Sequence, residues 1–241
     1  MLAVQIVNYN TPEATDNIVQ YIKDKVSIDY FLTVIDNGSN EELISKHTTK
    51  RLEKNTNKLG GVLAALEESK KKSPDYYWTI STSMKFNPTF EDPAEELINV
   101  IECSDDIVGI SPTFTGDLTD PPHRMMATIH NRRFHEAPGS IGMYSLYKGN
   151  WILGEGLPDA RLTSSWGTDY EMKYKARVNK KRLMLSDRVT VAITKGTVYQ
   201  NGKAGKSLSE YEKESRLEME TILTEKYGAD WKSILGVQHY A

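Results

Sequence analysis

Val34-Ile35-Asp36-Asn37-Gly38-Ser39 is an apolar, β-branched run that stops on four strong turn formers. Together with Tyr30 to Thr33 it reads as a buried strand ending in a polar turn. An earlier stretch has the same form: Leu2 to Val7 is apolar and ends on Asn8-Tyr9-Asn10. Between the two, Thr11-Pro12-Glu13 supplies a cap, a proline suited to a first helical position and a first-turn acid. Ala14, Ile18, Ile22 and Val26 follow at a spacing of four, which predicts a helix with one apolar stripe. Strand, helix and strand within about 35 residues predict a right-handed βαβ unit in a parallel sheet.

The pattern continues along the chain. Glu41 to His47 predicts a short helix, and Lys50 to Glu53 a brief strand. Gly60-Gly61 is read as opening a helix that ends in Lys70-Lys71-Lys72. Tyr76 to Ser81 predicts a strand, Asp92-Pro93 a capped helix, and Ile107 to Ile110 a further strand. From Ser111 to Ser140 no period is visible, and a loop of that length in a compact domain is usually functional or disordered. Ile141 to Tyr147 predicts a strand, and Ser165 is read as capping a helix that runs to Asn179. Leu183 to Leu185 and Val189 to Ile193 predict two strands. Lys195 to Lys206 is Gly- and Lys-rich, and Ser207 to Tyr227 predicts a charged helix that buries Met219, Ile222, Leu223 and Tyr227. The expected class is α/β: a mixed, mostly parallel sheet flanked by helices in one domain. Three parts are expected within it, residues 1–110, residues 111–206 and a C-terminal helical segment, 207–241.

Composition limits the function classes. The chain has 241 residues, 39% hydrophobic and 26% charged, with a net charge of -3. That balance gives no global attraction for nucleic acid or an anionic membrane. Cys103 is the single cysteine, which excludes a disulfide framework and a Cys-rich zinc site. No leader pattern precedes the first strand, and no apolar run approaches the roughly 20 residues of a membrane span. A cytoplasmic protein is expected.

An open parallel sheet binds ligands at the carboxyl ends of its strands. Asn8-Tyr9-Asn10, Asp36-Asn37-Gly38-Ser39 and Ser81-Thr82-Ser83 fall at such ends. Asn57-Lys58-Leu59-Gly60-Gly61 falls at a helix entrance, where amides meet anions. Any one of these is an ordinary turn or cap; their order is the signal.

That order resembles the family 2 type of GT-A glycosyltransferase. The resemblance is carried by residues 4–10, 34–39 and 57–61, and continues more faintly to about residue 200. There Leu157-Pro158-Asp159-Ala160-Arg161 and Trp166-Gly167-Thr168-Asp169-Tyr170-Glu171 resemble the acceptor-side segment with its acidic helix start. The resemblance implies a nucleoside diphosphate sugar as donor and a carbohydrate or glycan acceptor. It places Asn8, Tyr9, Asn10, Asp36, Asn37, Ser39, Asn57, Leu59, Gly60, Gly61, Ser81, Thr82 and Ser83 around the nucleotide sugar. It makes Asp169 the general base of an inverting transfer, and a carboxylate suits that task because a sugar hydroxyl is a poor nucleophile. The competing reading of Asp169 is a residue that only charges the helix start.

The chain departs from the family at the Asp-x-Asp position, which reads Ser81-Thr82-Ser83. Hydroxyls are weak ligands for Mg²⁺ or Mn²⁺, so no metal is required on this reading. Arg124, Lys195 or Lys203 would then neutralise the diphosphate, with Trp166 and Glu171 near the diphosphate or acceptor. The spacing of His123, His130 and His135 fits no tight metal motif. The basic run from Lys173 to Arg182, with Arg132 and Arg133, is either a solvated face or a phosphate-binding one that would admit a nucleic acid acceptor. Trp166 and Trp151 are candidates for sugar stacking or for the core. A nucleotidyltransferase would need a Gly- and Lys-rich loop after the first strand, and residues 8–12 are not one. A catalytically silent nucleotide-sugar, carbohydrate or nucleic-acid binding protein on the same fold is the remaining alternative.

Overall fold

The computed structural model describes residues 1–88, 90–114, 127–129, 132–137, 142–193 and 207–237. Among these residues ten strands form one mixed sheet: β1 (Leu2–Asn8), β2 (Tyr30–Asp36), β3 (Lys50–Arg51), β4 (Tyr76–Ser81), β5 (Met84–Phe86), β6 (Ile107–Phe114), β7 (Ala127–Ile129), β8 (Arg132–Glu136), β9 (Leu146–Lys148) and β10 (Arg182–Ile193). The order is β3-β2-β1-β4-β9-β6-β10-β8-β7, with β5 also on β10. β3, β2, β1 and β4 are parallel neighbours, as are β6 and β10. β9 joins the two parallel groups by running antiparallel to both β4 and β6.

Helices cover both faces of the sheet. α1 (Pro12–Lys25) and α3 (Pro93–Ile101) bury Ile18, Val19, Ile22, Leu97 and Val100 with Leu2, Val4 and Ile6 of β1. α2 (Asn57–Ser69), α5 (Thr168–Val178), α6 (Leu208–Tyr227) and α7 (Trp231–Leu235) pack on the other face. The short α4 (Gly149–Ile152) also packs there, and Trp151 is core, 4% exposed against Tyr147. Alternation along β1 serves both layers, because successive strand side chains point to opposite faces. Under α2 the sheet carries a closed polar chain. Thr79 Oγ1 donates to Gln5 Oε1, Gln5 Nε2 to Ser69 Oγ, and Ser69 Oγ to Thr33 Oγ1, at 2.9–3.0 Å. Buried polar atoms are tolerated when paired in this way.

Several expectations shift. The helix expected over residues 41–47 is a single 3₁₀ turn, Glu41–Leu43. Gly60 and Gly61 lie inside α2, which begins at Asn57. A Cβ on Gly61 would stand 2.6 Å from Val7 Cγ1, so this glycine lets the helix approach β1. The stretch from residue 111 is not irregular throughout: β6 runs to Phe114, and β7 pairs with β8. Phe134 and His135 of β8 are both buried although adjacent, because this strand is covered on two sides. β9 starts at Leu146, five residues later than predicted. The two late strands are one, β10, with register shifts against β6 where two strands were read. Ser165 does not cap α5. Gly167, at φ +83, occupies that position, and a Cβ there would lie 2.7 Å from Met219 of α6. On α6, Ser207 is the cap, one residue before the helix proper, with Glu210 closing the capping box. No helix among the described residues is long and apolar enough to cross a membrane.

Candidate functional site

The strand order reverses at β1. The chain leaves β1 through α1 on one face and returns to β4 through α2 on the other, so a crevice opens at the carboxyl ends of β1 and β4. The polar turns predicted to line it converge there. Asn8 Nδ2 reaches Asp36 Oδ1 at 2.8 Å, Leu43 O at 3.1 Å and Ser39 Oγ at 3.2 Å. Asn8 Oδ1 accepts from Thr11 N and from the Thr11 and Thr15 hydroxyls. Asp36 Oδ2 accepts from Ser39 N at 3.1 Å, and Arg51 Nε stands 3.6 Å away.

Several side chains expected at the nucleotide are committed to bonds within the protein. Asn8 and Asp36 are 0% exposed and their side-chain atoms are bonded within the protein. Asn37 is equally committed: its Nδ2 donates to Asn55 Oδ1 and Asn57 O, and its Oδ1 accepts from Thr56 N and Oγ1. Ser39 Oγ accepts from Asn10 N, and Asn10 Oδ1 from Asn40 N. Leu59 is a core side chain, 0% exposed. In this conformation these side chains shape the crevice and offer it no free surface. A buried carboxylate is tolerable only when hydrogen-bonded and paired, which Asp36 achieves. Tyr9, Asn57, Gly60, Ser81, Thr82 and Ser83 remain half-buried or exposed. After β4, the Ser81 and Ser83 hydroxyls lie 2.8 Å apart, and Thr82 Oγ1 accepts from Thr11 Oγ1.

A cleft of about 540 Å³ lies between the start of α2 and the start of α5. Its wall includes Lys58, Trp166, Asp169, Arg216, Trp231 and Lys232. Asp169 is half-buried in the first turn of α5, where the helix dipole favours its charged form. Gly142 and Thr168 border its Cβ side. Lys58 stands solvent-accessible with its amine 5.5 Å from the Tyr211 ring centre, and surrounding protein lowers its pKa by desolvation. Burial raises the Tyr147 pKa, and the Asp169 charge adds to the rise.

Glu171 belongs elsewhere. It is 0% exposed; Oε2 accepts from Asp159 N at 2.6 Å, and Oε1 from Lys226 Nζ at 2.6 Å and Tyr227 OH at 2.7 Å. Its side chain ties residues 157–161 to α6. On α5 the spacing of two turns these side chains apart, so Asp169 reaches the cleft while Glu171 reaches α6. Lys58, Arg216, Trp231 and Lys232 were not foreseen as site residues, since nothing local distinguishes them from surface cations or a core aromatic. Arg124, Lys195 and Lys203 lie outside the described residues, as do His123 and His130. His135 is buried on β8 with Nδ1 3.1 Å from Asp187 Oδ1. Among the described residues no group of three or more His, Cys, Asp or Glu side chains is placed to hold a metal.

The sequence matches no protein-family model and no curated protein. Solved structures do match. The crystal structure of S. aureus TarS superposes with a TM-score of 0.60 at 13% identity, covering 97% of this chain and 42% of TarS. GalNAc-T7 with UDP, GalNAc and Mn²⁺ gives 0.63 at 12% identity, covering 97% and 57%. The fold is that of the GT-A glycosyltransferases. TarS 1-349 in complex with UDP-GlcNAc gives 0.62 at 12% identity, covering 97% and 70%. This chain therefore spans about two fifths of TarS and under three fifths of GalNAc-T7. The mixed sheet flanked by helices is what this chain shares with them at these identities.

Proposed function

We propose that this chain moves a sugar from a nucleoside diphosphate sugar to an acceptor hydroxyl, with inversion at the anomeric carbon. The observation that carries the reading is Asp169: a half-buried carboxylate in the first turn of α5, on the wall of a cleft that also meets the start of α2. The GT-A fold and the UDP and UDP-GlcNAc held by solved structures of that fold support the donor class.

On this reading the nucleotide lies at the carboxyl ends of β1 and β4. Tyr9, Asn57 and the hydroxyls of residues 81–83 face it, while Asn8, Asp36, Asn37 and Ser39 hold the turns in shape. Asp169 accepts the proton of the acceptor hydroxyl as its oxygen attacks the anomeric carbon. The bond to the nucleoside diphosphate breaks on the opposite face, and that leaving group departs as an anion. Lys58 and Arg216 in the cleft wall are suited to balance its charge. GalNAc-T7 holds Mn²⁺, but residues 81–83 offer only hydroxyls where a hard dication favours carboxylates. The described residues do not fit such a metal, and no step is routed through one.

Asp169→Asn tests the reading. It keeps the shape and removes the base, so turnover should fall by about 10²–10⁴-fold with UDP affinity unchanged. Full turnover in the variant would return Asp169 to charging the helix start. UDP binding with no turnover in either form would favour a silent binding protein.

A further inference from the structure

Ser165 stands in the wall of the cleft that holds Asp169, four residues before that carboxylate. Its backbone is left-handed, at φ +69. Among the described residues four other non-glycine residues share that region: Asn10, Asn57, Ser73 and Lys180. Asparagine tolerates it because its short polar side chain bonds locally. Ser73 and Lys180 each follow a helical segment, where a left-handed residue is the usual stop. Ser165 has neither reason. It ends no helix, and glycine or asparagine would sit at this φ at less cost.

The hydroxyl adds a second cost. Ser165 Oγ is buried and has no hydrogen-bond partner among the described residues. The main chain around it is tied firmly. Ser165 N donates to Leu162 O at 2.9 Å, and Ser165 O accepts from Thr168 Oγ1 at 2.8 Å. Ser164 is held from α6: its carbonyl accepts from Tyr211 OH at 3.1 Å, and its amide donates to Glu218 Oε2 at 3.3 Å. A strained residue persists when its surroundings over-determine it, and such residues gather at functional sites. An unpaired buried polar atom in a native fold calls for the same kind of explanation. Both costs fall on one residue, and that residue lines the cleft. No hydrogen bond holds its present rotamer, so Oγ is free to pass to another staggered well.

We propose that Ser165 is a specificity-determining residue of the acceptor site. Its hydroxyl turns into the cleft and bonds a sugar hydroxyl other than the one that gives its proton to Asp169. The assignment rests on the reading of Asp169 as the base that meets the acceptor. It makes the site selective, because an acceptor without that second hydroxyl leaves Ser165 unpaired. Trp166 shares the wall, half-buried, and suits the apolar face of a pyranose.

The probes are the methyl glycosides of glucose, galactose, mannose and N-acetylglucosamine. They are added to the intact protein saturated with UDP, and binding is read by ligand-observed NMR. At least one should bind the wild type saturably, and Ser165→Ala should weaken it by about three- to tenfold. Among the monodeoxy forms of that glycoside, one should lose the same factor with the wild type and nothing further with Ser165→Ala. Ser165→Gly should bind as weakly, yet melt about 2–4 °C above the wild type, because glycine relieves the strain. A serine with a structural role alone would lower Tm in Ser165→Ala and leave glycoside affinity untouched. No glycoside binding by the wild type, or equal affinity in the wild type and both variants, overturns the proposal. Turnover of Asp169→Asn separates this assignment from the reading beneath it. If that variant loses turnover while Ser165→Ala keeps wild-type affinity, only Ser165 is reassigned. If it turns over fully, the reading of Asp169 fails first.

Discussion

Asn57 and Thr163, 106 positions apart in the chain, are joined side chain to side chain, Asn57 Nδ2 donating to Thr163 Oγ1 at 3.0 Å. Leu59 N also donates to Thr163 O at 2.9 Å. Thr163 is held in turn from α6, because its amide and hydroxyl both donate to Glu218 Oε1, at 2.6 and 2.7 Å. Ser164 N reaches the other oxygen of Glu218 at 3.3 Å. Thr163 therefore links the start of α2 to the Glu218 carboxylate of α6. Glu218→Ala strands these donors, which costs about 1–3 kcal/mol. For a chain of this size each kcal/mol lowers Tm by about 2–4 °C. Acceptor KM should rise while UDP affinity holds. Thermal melts and acceptor saturation curves check both, and an unchanged Tm would deny Glu218 this role.

Asp36 gives a second prediction. Its carboxylate holds Asn8 and the Ser39 amide from a fully buried position. Asp36→Ala should lower the Tm of the ligand-free protein by an amount set by about 1–3 kcal/mol. It should also remove the stabilisation by UDP, which for the wild type reaches about 2.7 kcal/mol at a hundredfold excess over Kd. Tyr9→Ala should weaken the UDP response with little effect on the ligand-free Tm. The wild-type UDP response should persist in EDTA. If Asp36→Ala melts like the wild type yet fails to bind UDP, Asp36 contacts the nucleotide directly.

Glu171 and Asp169 should separate cleanly although they are two residues apart. Glu171→Ala leaves Tyr227 OH and Asp159 N without this acceptor and Lys226 Nζ with only Asp159 Oδ2, at 3.4 Å. Breaking a buried pair costs about 3–5 kcal/mol, and partial exposure of Lys226 argues for the lower end. The expected result is a clear loss of Tm with turnover per folded molecule retained. Loss of turnover at unchanged Tm would move Glu171 into the catalytic cleft.

The pair that anchors β10 predicts the acid limb of stability. The Arg182 guanidinium draws the Asp106 carboxyl down from 3.8 to about 2, against a smaller opposing effect of burial. A depressed folded-state pKa contributes stability above the ordinary value, near pH 4, and loses it as pH falls towards 2. Both side chains are about one third exposed, at 39% and 35%, so solvent screens the contribution. Asp106→Asn should therefore lose less Tm than the wild type between pH 4 and pH 2. Parallel melting curves across that window would contradict the assignment.

Local signals located much of the frame. Pro12 and the four-residue apolar spacing of α1, the apolar runs of β1, β2 and β4, Asp92-Pro93 and Ser207 each act within a few residues, and each element stands where those residues put it. β8 was illegible because Arg132-Arg133-Phe134-His135-Glu136 carries no period, and the burial of Phe134 and His135 is imposed by layers from elsewhere in the chain. Ser165 looked like a cap, but position within α5 is set by Gly167 packing against Met219, a contact no neighbouring residue announces.

The same division runs through the site. The sequence by itself determined that polar turns follow β1, β2 and β4, because turn chemistry and strand burial are local properties. It also placed an acid in the first turn of α5 and left hydroxyls at residues 81–83. Only the tertiary structure decided which polar groups keep a free surface. Hydrogen-bond saturation depends on partners far along the chain: Asn8 meets Asp36 and Leu43, and Glu171 meets Lys226 and Tyr227. That long-range pairing made Asp36 a brace and left Asp169 on the cleft wall. It also gathered Lys173, Arg177 and Lys232 around a cavity that a helical charge run alone does not reveal.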